Sequence, residues 1–169
     1  HDRVVARPFD EMRPVIEAEM QASLSEIFAE FNEIPIGAAS IAQVYKSRLL
    51  NGDEVVVKVQ RPGTVDVISD DLNILYFLAE LLDHYIPETR PFHPVGIVDE
   101  FAKTLELETN FIIEANNLRR FAQNFANDEF IQIPKIYLQY MTPKILVMEL
   151  MQGTPLSVPH ALQQEGVKP

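Results

Sequence analysis

The sequence has no cysteine in its 169 residues. That excludes a disulfide framework, a thiolate nucleophile and a cysteine-ligated zinc. Histidine is sparse too. His1, His84, His93 and His160 are widely spaced and form no HExxH pair, so a histidine metal site is not expected. Positive charge is short: 14 Lys+Arg against 25 Asp+Glu leave a net charge of −11, with pI ≈ 4.7. A general nucleic-acid binder needs the opposite balance, because phosphate contacts use lysine and arginine, so no nucleic-acid partner is expected. No apolar run reaches the roughly 18 residues of a membrane span. The chain opens on His1 with no signal-like segment and closes on Val167-Lys168-Pro169 with no capping or stop signal. A fragment with pieces missing at both ends is the expectation.

What is present suits one domain with a real core: 47% hydrophobic and 23% charged residues. Residues 8–31 read as a helix, with Asp10 and Glu11 at its start and Met12, Ile16, Met20, Leu24, Ile27/Phe28 and Phe31 at helical spacing. Phe9, Phe28 and Phe31 would belong to the core of that helix. Pro35 ends it, and Val44–Leu49 alternates weakly as a strand. Asn51-Gly52 is a strong hairpin turn, and the β-branched run Asp53–Gln60 forms the returning strand until Pro62-Gly63 stops it. A long helix is expected over 65–86, and another over about 95–125 with a kink. Residues 131–140 and 144–150 read as two strands joined at Met141-Thr142-Pro143, and a short helix is expected near 159–165. Strands joined in hairpins with helices packed on one side make an α+β domain with a five-stranded antiparallel sheet.

Within this frame, residues 35–60 carry the chemistry. A small-residue turn, Gly37, Ala38, Ala39, Ser40, Ile41 and Ala42, leaves room for a ligand against the backbone. The strand Val55-Val56-Val57-Lys58-Val59 sets one lysine among valines, and an ammonium there needs an anion to face. Together they suggest a nucleotide phosphate held between turn and lysine. On the second long helix, Glu108 and Glu114 each stand where the apolar period asks for a hydrophobic residue. Six positions apart, they point about 120° from each other on a continuous helix. At least one is expected to pair with Lys58; spacing alone leaves both open.

A protein-kinase signature couples a glycine-rich loop, a strand lysine and a helix glutamate. Here the loop reads Gly37-Ala38-Ala39-Ser40-Ile41-Ala42, with alanines in place of glycines. In this the chain resembles the UbiB/ABC1/ADCK atypical kinase-like proteins. Further matches are the VKVQRPG run (Val57–Gly63), the ELxFxxEAxN-like run (Glu108–Asn117) and LVMELMQGTPL (Leu146–Leu156). The resemblance implies a kinase-like N-lobe over residues 34–152, with 65–86 an inserted helix. Residues 1–33 would be an N-terminal helical extension, and 153–169 the exit toward a second lobe. It implies that residues 37–42 cover the phosphates of ATP and that Lys58 touches phosphate and pairs with a helix glutamate. Met148 would precede the hinge, and the backbone of Glu149–Met151 would meet the adenine edge. Mg2+ would be held by ligands of the second lobe, which the chain does not contain. The family association extends to ubiquinone and prenyl-lipid biosynthesis, with biosynthetic proteins or membrane lipid as partners.

Departures from the family pattern fall at Asn110, where the ExD motif has a carboxylate, and at Ala42, usually glycine. Tyr45 stands where histidine is frequent, and no KxGQ segment occurs. They leave a second reading open, a pseudokinase-like scaffold without turnover. Arg61 and Lys46 are expected to be solvated. The broad apolar stripe of 68–85 is expected to pack on the domain; the lack of lysine or arginine over 64–86 speaks against an anionic membrane face.

Overall fold

The computed structural model describes residues 4–153. The chain runs α1 (Phe9–Met20), α2 (Leu24–Ile27), β1 (Phe28–Ala38), β2 (Ala42–Leu49), β3 (Glu54–Gln60), α3 (Thr64–Tyr85), α4 (Pro94–Thr109), α5 (Phe111–Asn124) and β4 (Ile145–Glu149). Short 3-10 turns cover Pro87–Phe92 and Leu138–Tyr140. The strands form one antiparallel sheet in sequential order, β1-β2-β3-β4. The domain is therefore α+β, as expected.

The hairpin between β2 and β3 closes at Asn51-Gly52, where Gly52 takes φ 92, a conformation open to glycine without a Cβ penalty. Leu49 N–H donates to the Asp53 carbonyl at 3.0 Å. On one face of β3, Val55, Val57 and Val59 are fully buried and join Met12, Ile16, Tyr45, Leu49, Ile145 and Val147 in the main core. α1 lies on that face. Lys144 ties it to β4 through a 3.0 Å ion pair with Glu19. Burial alone would raise the Glu19 carboxyl, but bonds from Lys144 and Thr142 outweigh it and hold it below its ordinary value.

Four expectations are corrected. The helix over 8–31 ends at Met20, where Gln21 turns left-handed at φ 52. Only one turn of helix follows, and Phe28 and Phe31 lie in β1, paired with Leu49 and Ser47. The 3.6-residue repeat reads through because Phe31 packs against Phe9, Phe28 and Tyr45 at centroid distances of 5.1 to 5.5 Å. Edge-strand pairing satisfies the backbone there, overriding local propensity, and the edge position tolerates Pro35.

The sheet has four strands among the described residues, not five. Residues 135–137 run beside β4 for one bridge only, Ile136 to Met148, flanked by Glu149 N–H to the Lys135 carbonyl and Tyr137 N–H to the Val147 carbonyl. The 3-10 turn at Leu138 then draws the chain off the sheet. The kinked helix over 95–125 is two helices, broken at Asn110, whose backbone is extended at φ −110, ψ 100. The long helix expected over 65–86 is found as α3, but its apolar stripe does not pack away on the domain as expected: Ala79 is the one buried residue of the helix, and Ile74, Leu75, Leu78, Leu82 and Tyr85 are exposed. The short helix expected near 159–165 falls outside the described residues.

Candidate functional site

Alternation along β3 sends Lys58 to the face opposite Val57 and Val59. That face is covered by a second, smaller core of Ala42, Phe111, Ala115 and Leu146. Lys58 is directly opposite Val44 on β2 and Leu146 on β4, so its stem runs among apolar neighbours. Its ammonium meets two side chains of α5. Nζ donates to Glu114 Oε2 at 2.5 Å, and it lies 4.7 Å from the centroid of the Phe111 ring, within cation–π range.

Local structure explains why α5 presents this pair. Asn110 Oδ1 accepts from Ile112 N–H at 3.0 Å and caps the helix. Phe111 follows, fully buried, with its own N–H bonded to the Pro143 carbonyl at 2.9 Å. Glu114 is three residues later and so projects from the same side as Phe111. Gln60, 2% exposed, reaches across from β3 and donates to the Thr109 carbonyl at 2.9 Å, taking up an end group of α4. The capping asparagine, the buried phenylalanine and Gln60 together fix α5 relative to the lysine strand.

Of the two glutamates, Glu114 is the partner of Lys58. Glu108 sits in the last turn of α4, exposed, on the other side of the Asn110 break. The angular argument from one continuous helix therefore does not apply. Glu108 nevertheless lines the same cavity as Lys58 and Glu114, about 520 Å³, with Asn117, Leu118 and Phe121. Lys58 is the one cation among these lining residues. The cavity lining thus holds one ammonium and two carboxylates, and the ammonium is paired with Glu114 from a separate element.

The turn expected over 37–42 is shorter than its sequence suggested. Gly37 and Ala38 belong to β1, opposite Val44 and Gln43, which leaves Ala39, Ser40 and Ile41 to turn. Ala39 N–H closes that turn on the Ala42 carbonyl at 2.8 Å. Ala42, 3% exposed, places its methyl in the small core with Phe111, where glycine would leave a gap. At the other end of the sheet, Met148 faces Val56. Glu149 N–H donates to the Lys135 carbonyl at 2.8 Å and Leu150 N–H to the Glu54 carbonyl at 3.1 Å. Because Leu150 bonds directly across to β3, antiparallel alternation turns the Glu149 carbonyl away from β3. Met151 is 41% exposed.

Lys46 is at the surface in a 3.4 Å pair with Glu54, but Arg61 is not simply solvated. It is half-buried, and one Nη donates to the Val5 carbonyl at 2.9 Å. Sequence reasoning missed Phe111, Gln60 and Gln43. The first lies in the ELxFxxEAxN-like run, three residues before Glu114, and that spacing was the available signal. Among the described residues, no group of three or more His, Asp or Glu side chains could hold a metal ion. No described helix is long and apolar enough to cross a membrane.

A strand lysine ion-paired to a glutamate on a helix packed across the sheet, beside a small-residue turn between β1 and β2, defines a kinase-like lobe. Comparison with known proteins agrees. The family model described as the ABC1 atypical kinase-like domain matches residues 1–169, and the chain belongs to that family. It is 41% identical over 166 residues to a probable protein kinase UbiB of Marinobacter nauticus, covering 98% of this chain and 30% of that protein. A probable protein kinase UbiB of Sodalis glossinidius is 39% identical over 167 residues, 98% of this chain and 30% of the relative. The chain therefore spans under a third of the length of these relatives. A solved structure of the Rv3197–erythromycin complex from Mycobacterium tuberculosis is similar with TM-score 0.79 and 27% identity, over 94% of this chain and 40% of that one.

Proposed function

We propose that this chain is the nucleotide-binding lobe of an atypical kinase or ATPase. The observation that carries the reading is Lys58. Its ammonium is held between the Glu114 carboxylate and the Phe111 ring at the wall of an open cavity. A lysine so restrained presents positive charge to a phosphate with little further ordering to do. In this reading the turn Ala39–Ile41, with Gly37, Ala38 and Ala42 at its flanks, lies over the phosphates of ATP. Two backbone groups meet the adenine edge: the Glu149 carbonyl, which faces away from β3, and the Met151 N–H. The N–H groups of Glu149 and Leu150 already bond the Lys135 and Glu54 carbonyls. Met148 borders the adenine pocket, and Glu108 faces the cavity from α4.

Mg2+ would enter with the nucleotide, its protein ligands supplied by parts of the longer protein outside this chain. Bound there, it would neutralise phosphate charge during phosphoryl transfer. The family resemblance extends the proposal to ubiquinone and prenyl-lipid biosynthesis, with proteins of that chemistry or membrane lipid as partners. A scaffold without turnover is the second reading. Asn110 favours it, since its amide brings no charge where the family has a carboxylate, and its oxygen serves the helix cap.

Titrating ATP against the full-length protein, wild type and Lys58→Ala, tests the proposal. The wild type should bind and be stabilised against heat, and Lys58→Ala should lose most of both effects. An unliganded wild type at millimolar ATP, with no thermal shift, would end the nucleotide reading.

A further inference from the structure

Among the described residues, Gln43 is the one glutamine fully enclosed in the main-core face of the sheet, at 0% exposure. A buried primary amide is costly unless its groups are bonded. Here the partners are specific. Its Oε1 accepts from the Arg7 backbone N–H at 2.6 Å, and its Nε2 donates to the Arg7 carbonyl at 3.3 Å and to the Tyr45 hydroxyl at 2.6 Å. The side chain thus bonds both backbone groups of Arg7, as a neighbouring strand would.

A second tie lies alongside. Arg61 donates through its guanidinium to the Val5 carbonyl at 2.9 Å and through its backbone N–H to the Ile41 carbonyl at 2.8 Å. Residues 5–7, which lead into α1, are therefore fastened to residues 41–43. Residues 41–43 are the point where the alanine turn enters β2, opposite Val59 and Gln60 and next to Lys58. Apolar packing alone would suit a leucine at position 43. An amide there adds only the fastening of the segment before α1.

We propose that Gln43 is a positioning residue that couples the segment Val5–Arg7 to the alanine turn, so that order in one sets order in the other. The proposal rests on the nucleotide reading for its effect on affinity but not for the coupling itself. Freed from Arg7, the root of the turn would move, and the turn would cover the phosphates for a smaller fraction of the time. Losing one such constraint should weaken nucleotide binding about fivefold to tenfold.

The test uses the full-length protein with Gln43→Leu, Arg61→Met and, as a control, Ile16→Val, which destabilises the same core without touching the clamp. Hydrogen exchange should speed up both at residues 5–7 and at 39–42 in the first two variants, and at neither in Ile16→Val. ATP affinity should fall in the clamp variants by more than in the control. If exchange rises at 5–7 while 39–42 and ATP affinity stay unchanged, Gln43 is only a core residue and the coupling is overturned. Unchanged exchange at 5–7 overturns it as well. If the wild type does not bind ATP, the nucleotide reading fails, and exchange at 39–42 alone decides the coupling.

Discussion

The Lys58–Glu114 pair allows a quantitative test, a double-mutant cycle with Lys58→Met, Glu114→Gln and both together. Two unit charges about 4 Å apart attract by about 4 kcal/mol at the effective dielectric of a protein surface. The contact is short, 2.5 Å, but the two side chains are 24% and 38% exposed. Water therefore screens the attraction, and removing both charges also removes their desolvation cost. The pair is held by buried neighbours on both sides, Leu146 on β4 and Phe111 on α5, so less side-chain entropy opposes it than at an open surface. The expected coupling is about 1 kcal/mol, at the upper end for exposed pairs. Urea unfolding followed by circular dichroism measures it, provided the slope with denaturant is unchanged among the four proteins. A coupling below about 0.3 kcal/mol, the ordinary error of additivity, would mean that the two charges do not share a site. One above about 3 kcal/mol would mean a desolvated pair and refute the partly screened site described above.

Other outcomes follow from particular contacts. Phe111→Ala removes a fully buried ring from the small core and should cost about 3–5 kcal/mol by thermal or urea unfolding. Asn110→Ala should cost about 1 kcal/mol through loss of the α5 cap, whereas Asn110→Asp keeps the cap and should leave stability within about 0.5 kcal/mol. Tyr137 is pushed up to about 12, first by burial and then by donating to Asp53 at 2.9 Å. The fold favours its neutral form, so that contribution is full below pH 10.0 and is lost as pH rises through about 12. Asp53 is held below its ordinary 3.8 by the Tyr137 hydroxyl and then by Asn51. Its contribution is present above that value and is lost as pH falls through the lowered one. Tyr137→Phe should therefore flatten the alkaline loss of stability and reduce the acid one, read from unfolding midpoints across pH.

Much of this molecule was legible in one dimension, and the reason is local chemistry. The Asn51-Gly52 hairpin, the valine strand and the stop at Pro62-Gly63 each depend on neighbours a few residues away, and the structure has them where the sequence puts them. The long helix over 65–86 was equally plain, because its apolar stripe repeats over many turns. The order of alanine turn, strand lysine, helix glutamate and Met148–Met151 run points to the kinase-like family from the sequence alone.

Non-local pairing decided the rest. Phe28 and Phe31 fit a helical repeat, yet they pair in β1, since the sheet edge offers backbone bonds that one more helical turn could not match. Whether residues 131–140 made a strand depended on how long they could stay beside β4, and the 3-10 turn limits them to one bridge. The choice between Glu108 and Glu114 was not in the spacing, because it turned on a helix break at Asn110 and on which helix packs across Lys58. The Gln43 and Arg61 ties join residues far apart in the chain; the VKVQRPG run contains Arg61, but a motif does not say which backbone group its side chain meets. Sequence specified which groups were available for a nucleotide site. Only tertiary packing decided which of them meet, because ion pairs and buried hydrogen bonds act over a few ångströms between elements that the chain brings together last.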